Sequence, residues 1–185
     1  MEEALWNLNA AILKELYLPA CDFKVNILLD FPQFVPAYRA ETGVMLDKLQ
    51  KLPKTRFVGY LLNQIIGKYY MLANMDEYAA SYFRKSLQYV NLNDEWLTLY
   101  YYASCEIRLG DSEKAVMICN QAIQIILNDP NYTTKLKECT ILLFCNHMIC
   151  DLPEVRRLAE HIKCSFGIDY SRMVTELEGK QKTGE

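Results

Sequence analysis

The chain has 185 residues, 51% of them hydrophobic, with 20 basic against 23 acidic side chains and a formal charge of −3. That supports one domain with a buried core, excludes wholesale disorder, and offers no basic excess for nucleic acid or anionic lipid. No run of about 18 apolar residues occurs, so no membrane span is expected.

The N-terminus, MEEALWNLN, carries acids where a signal peptide carries bases. The seven cysteines are an odd number and sit in helical runs. They read as reduced, buried thiols of a cytoplasmic protein, with no disulfide.

Residues 3–17 carry an amphipathic pattern around Leu5, Trp6, Leu8, Ile12 and Leu16, and Pro19 breaks it. A second helical run extends from Ala20 to Asp30 and stops at Phe31-Pro32. Residues 36–51 form the next helix, closed by Lys51-Leu52-Pro53. Another begins near Thr55 and carries Phe57, Tyr60, Leu61, Ile65, Ile66 and Tyr69.

The most legible stretch is Trp96–Pro130, two amphipathic runs around a Leu-Gly-Asp-Ser turn. Asn93, Asp94 and Glu95 suit the positive end of the first helix. Gly110 suits the left-handed position that ends it. Asp111 or Ser112 caps the second helix, and Pro130 stops it. Ala115, Cys119 and Ala122 line one face at spacings of four and three, which allows close helix approach. Glu113 and Lys114 fall on the opposite, solvated side.

This stretch resembles the tetratricopeptide repeat. Ala103 matches that family's small residue in the first helix, Gly110 its turn, and Ala115 and Ala122 its packing alanines. The family's proline is displaced, since Pro130 falls late. A shift of 36 residues carries Ala79 onto Ala115, and with it Gly67 onto Ala103, Asn74 onto Gly110, Phe83 onto Cys119 and Ser86 onto Ala122. The residues are small or aromatic where the pattern wants them, and Asn74 tolerates left-handed geometry. Ala20, Ile27 and Pro32 fit a degenerate first repeat, and Cys150 with Val155 a stretched third one.

Beyond Pro130, a helical run spans about Tyr132 to Cys150. Asp151-Leu152-Pro153 starts another, with Val155, Leu158, Ala159 and Ile162 as its apolar stripe and Gly167 at its end. Ile168–Leu177 makes a final helix, and the polar residues 179–185 a flexible tail. The expected fold is all-α, an irregular α-solenoid of about nine or ten helices in antiparallel pairs, one domain over residues 1–178.

The resemblance implies a right-handed superhelix whose inner helices line a concave groove. The matching positions are Gln64, Lys68 and Met71 on one helix and Tyr100, Tyr101, Ser104 and Arg108 on the next. Aromatic, amide and cationic side chains in that mixture suit a peptide backbone or carboxylate. The carboxylate clamp of chaperone-binding members is not matched at Gln64, Lys68, Tyr100 and Tyr101, which argues against a co-chaperone.

Cys145, His147, Cys150, His161 and Cys164 are zinc-type ligands. Their spacings scatter the first three around one helix and include no CxxC, so no metal is expected. No phosphate loop, Glu-x-x-His pair or activated nucleophile is present, so neither cofactor nor enzymatic activity is expected.

The expected function is a cytoplasmic, non-enzymatic adaptor that holds a protein or peptide partner. A homodimer is possible, and no contact with nucleic acid or membrane is expected. The alternatives are the peptide-sensing domain of a bacterial transcription regulator and a secretion chaperone of the same repeat type.

Overall fold

Prolines, glycines and one asparagine set the helix boundaries in a computed structural model of the chain. It describes residues 17–53, 56–89, 95–128, 130, 133, 134, 137 and 152–183. Among these there are eight α-helices and no strand. Most of the expected first helix, Thr55, Asn93 and Asp94, and most of 132–150 lie outside the described residues.

The chain divides into two compact units, Met1–Leu92 and Asn93–Glu185. In the first, α1 is Leu18–Asp30, α2 Val35–Gln50, α3 Arg56–Leu72 and α4 Asp76–Leu87. A 3₁₀ turn, Pro32–Phe34, joins α1 to α2. Pro19 lies in the first turn of α1, after the extended Tyr17, because the first turn of a helix has no use for the amide proton that proline lacks.

Helix α3 is the axis of this unit, packed by α1, α2 and α4. Cys21 and Val25 of α1 and Met45 and Leu49 of α2 meet Leu62, Ile65, Ile66 and Tyr69 of α3 in one apolar cluster. On the α4 side, Gly67 faces Phe83, whose ring would lie 2.7 Å from a Cβ at that position. Glycine costs a helix interior roughly 1 kcal/mol relative to alanine. Here its bareness is what admits the phenyl ring. The Ser86 hydroxyl donates to the Tyr60 carbonyl oxygen at 2.8 Å, which ties α4 to α3 through a buried hydrogen bond.

The second unit contains α5, Glu95–Arg108, and α6, Ser112–Asn128, which pack on one another. It also contains α7, Leu152–Phe166, and α8, Ser171–Thr183, which pack around Val155, Leu158, Ala159 and Ile162. Helix α8 starts later than expected and runs further. Gly167 stands at φ 70° and closes α7, and the Asp169 carboxylate accepts from the Ser171 amide at 2.8 Å to open α8. Residues 179–183, expected in the flexible tail, are helical. Arg156 of α7 donates to Glu178 at 2.6 and 2.9 Å and ties α8 to α7.

The 36-residue shift seen in the sequence extends to the backbone. Asn74 is at φ 55° and Gly110 at φ 85°. Around Asn74, the Met75 amide donates to the Tyr70 oxygen and the Asn74 amide to the Met71 oxygen. Around Gly110, the Asp111 amide donates to the Glu106 oxygen and the Gly110 amide to the Ile107 oxygen. Each partner is displaced by 36. Both turns are Schellman caps, in which a left-handed residue lets the chain reverse while the last carbonyls stay satisfied. Asp111 then caps α6 by accepting from the Lys114 amide at 3.1 Å. The packing alanines are buried as expected, Ala79 in α4, Ala103 in α5, Ala115 and Ala122 in α6.

Candidate partner-binding surface

A binding surface needs side chains that solvent can reach, and α3 and α5 differ sharply in this. From Val58 to Leu72, α3 carries no exposed residue. Gln64 is 4% exposed, Lys68 0% and Met71 6%. The sequence reading placed these three on an open face. They are buried, and as they stand they offer a partner no surface.

The physical reason is clearest at Lys68. Its ammonium reaches Asp22 of α1 at 2.8 Å, and the Asp22 carboxylate also accepts from Asn26 at 3.2 Å. Beside it the buried Lys24 ammonium meets Glu41 of α2 at 3.1 Å and lies 5.2 Å from the centroid of the Tyr38 ring. Buried ammonium groups persist only when such partners replace water. Cys21 and Tyr69 sit in the same region. Burial pushes the Cys21 thiol up to about 11, which keeps it protonated and a poor nucleophile at neutral pH. Burial likewise raises the Tyr69 hydroxyl, which has no hydrogen-bond partner among the described residues.

Helix α5 is arranged differently. Thr98, Leu99, Tyr102, Ala103, Cys105 and Glu106 are buried and form its inward side. Tyr100, Tyr101 and Ser104 are half-buried and Arg108 is exposed, and these form the reachable side at helical spacing. The Tyr100 and Tyr101 rings meet edge to face, 5.6 Å between centroids. Tyr102 packs inward, as three consecutive helical residues require.

Lys114, expected in an idle solvated face, is engaged. Its ammonium lies 2.6 Å from the buried Glu106 carboxylate and 5.5 Å from the centroid of the Tyr102 ring. That bond to Glu106 raises its pKa. The equivalent residues 36 positions earlier are Tyr70 and Tyr78, whose rings stack 5.4 Å apart. One cross-turn contact is thus made by an ion pair and its counterpart by two aromatic rings.

No protein-family model matches the chain, no curated protein matches it, and no solved structure matches it.

A cleft of about 340 Å³ lies between α7 and α8, floored by Ala159 and Val174 and walled by Arg156, Lys163 and Asp169. Lys163 of α7 lies 3.0 Å from Asp169 in the turn before α8, and Arg156 pairs with Glu178 of α8 at 2.6 Å. The hydroxyl and amide of Ser171, together with Lys163, hold the Asp169 carboxyl well below the usual range. Of the zinc-type residues, Cys145, His147 and Cys150 lie outside the described residues, and His161 and Cys164 are exposed on α7. Among the described residues no group of three or more potential ligands converges, and no helix is long and apolar enough to cross a membrane.

Proposed function

We propose that this chain is a non-enzymatic, protein- or peptide-binding adaptor of the tetratricopeptide type, with the reachable side of α5 as its binding surface. The observation that carries the reading is the stripe of Tyr100, Tyr101, Ser104 and Arg108 on a helix whose opposite side is buried. Tyrosine and arginine are the side chains most enriched at binding hot spots, since each combines large contact area with hydrogen bonding. The helical-repeat part rests on the two hairpins whose capped turns coincide after a shift of 36 residues. The surface is narrower than the sequence suggested, because Gln64, Lys68 and Met71 are buried.

The test replaces Tyr100 and Arg108 together with alanine. Partners co-purified with the parent chain are identified by mass spectrometry, and their affinity for parent and variant is compared. Binding weakens by about 2 kcal/mol or more, the scale of a hot spot, while the melting curve stays close to the parent's. A Glu113→Ala control, on the exposed N-terminal turn of α6, leaves binding unchanged. Undiminished binding by the double variant removes α5 as the site.

A further inference from the structure

Helix α6 presents an outward face with no charge on it. Between Ala115 and Asn128 the sequence AVMICNQAIQIILN contains no acidic or basic residue. Ala115, Ile118, Cys119, Ala122 and Ile126 are buried. Val116, Met117, Asn120, Gln121, Gln124, Leu127 and Asn128 are exposed, with Met117 at 61% and Leu127 at 46%. Exposed helix faces of globular proteins ordinarily carry charged side chains. Loss of charge, with methionine and aliphatic residues in its place, is the composition of an interface core.

The order of residues on this face identifies the occupant. Met117, Asn120, Gln124 and Leu127 follow one another at spacings of three, four and three, the seam of a two-helix coiled coil. That spacing reads the same in both directions. Met117 and Leu127 are centred on residue 122, and so are Asn120 and Gln124. A two-fold axis on the outward side, level with residue 122, therefore sets Met117 of one copy against Leu127 of another, and Asn120 against Gln124, each contact occurring twice. Amide side chains both donate and accept, so this pairing leaves no group without a complement.

The ends fit the same arrangement. Glu113 is exposed at the N-terminal turn of α6. At the other end, Lys137 donates to the Leu127 carbonyl oxygen at 2.7 Å, so its ammonium stands at the helix C-terminus. Antiparallel pairing brings acid toward ammonium at both ends, whereas parallel pairing brings like charges together.

We infer that α6 is a self-association face, on which two copies of this chain pair antiparallel through Met117, Asn120, Gln124 and Leu127. The seam spans about 15 Å at 1.5 Å per residue. A seam of that length is a small contact beside a standard interface of about 800 Å² per partner, so the expected association is weak and depends on concentration.

Sedimentation equilibrium of the full chain over micromolar to millimolar concentration tests this. The parent approaches twice the monomer mass as concentration rises. Asn120→Glu with Gln124→Glu sets like charges against each other in both central contacts and raises the Kd at least about tenfold, with helicity by circular dichroism unchanged. Asn120→Lys with Gln124→Glu sets opposite charges together in the antiparallel seam and returns the Kd to near the parent's. In a parallel seam it would set lysine against lysine. A parent that stays monomeric throughout overturns the inference. So does a dimer indifferent to the double glutamate variant, or one that the lysine–glutamate variant fails to restore.

Discussion

Gly67 and Gly59 both stand where an added methyl meets a ring, yet the two rings differ in freedom. Phe83, against Gly67, is fully buried and closed in by α3 and α4. Tyr89, against Gly59, is half-exposed beyond the end of α4, so its ring is less confined than that of Phe83. Alanine favours a helix over glycine by up to about 1 kcal/mol, and overpacking a closed core costs about 1–3 kcal/mol. Gly67→Ala is therefore destabilising by about 1–2 kcal/mol, and Gly59→Ala is near neutral, as urea denaturation midpoints will show. Equal midpoints for both variants would contradict the packing of α3 on α4. At this scale the turn residues were legible in advance: Asn74 and Gly110 were named from the sequence because few residues accept a positive φ. The fate of Lys68 was not legible. A lysine reads as exposed, and the aspartate that buries it lies 46 residues away.

Between elements, the two capped hairpins share a backbone and differ in what spans the turn. In the α5–α6 hairpin the span is Lys114 to Glu106, where a half-exposed ammonium satisfies a carboxylate that is almost wholly buried. Lys114→Ala strands that carboxylate, and leaving a buried charged group unsatisfied costs about 1–3 kcal/mol. A thermal melt of this variant should fall clearly below the parent's, while Glu113→Ala, one residue away, leaves it unchanged. In the α3–α4 hairpin, Tyr70 is sandwiched between Tyr78 and Tyr82 and accepts from Gln50 at 2.6 Å. The helices themselves were readable from apolar periodicity and breaker residues. The start of α8 was not, because it depends on Asp169 accepting from Ser171, a local cap that masks no hydrophobic period.

For the whole molecule, burial of Cys21 and Tyr69 and the pairing of Lys114 with Glu106 make the folded state hold these three protons more tightly than the unfolded chain does. Burial raises the Cys21 thiol from 9.0 to about 11 and lifts the Tyr69 hydroxyl above 10.0. Glu106 lifts the Lys114 ammonium above 10.5. A folded-state pKa above the unfolded value contributes stability that is complete below the unfolded value and is lost as pH rises through the folded one. The melting temperature is therefore steady with respect to these groups up to about pH 9 and declines from there through about pH 11. Cys21→Ala removes the earliest of the three and delays the onset toward pH 10, the ordinary value for tyrosine. A decline that begins at the same pH in both proteins would mean the thiol is not held protonated by the fold.

The matched hairpins also carry a consequence for heredity. Recombination could exchange a helix of one hairpin for its counterpart in the other, but the two hairpins differ in complementary pairs. Gly67 with Phe83 in one hairpin stands where Ala103 with Cys119 stands in the other, and Tyr70 with Tyr78 where Glu106 with Lys114 does. A crossover at either turn would unite Ala103 with Phe83, overfilling the contact, or Gly67 with Cys119, leaving a void. It would also set a lone tyrosine against lysine or a buried glutamate against tyrosine. Exchange between the two hairpins is tolerable only where it moves a hairpin whole. The turns, where the backbone hydrogen bonds coincide, are therefore not where one helix can be traded for its counterpart.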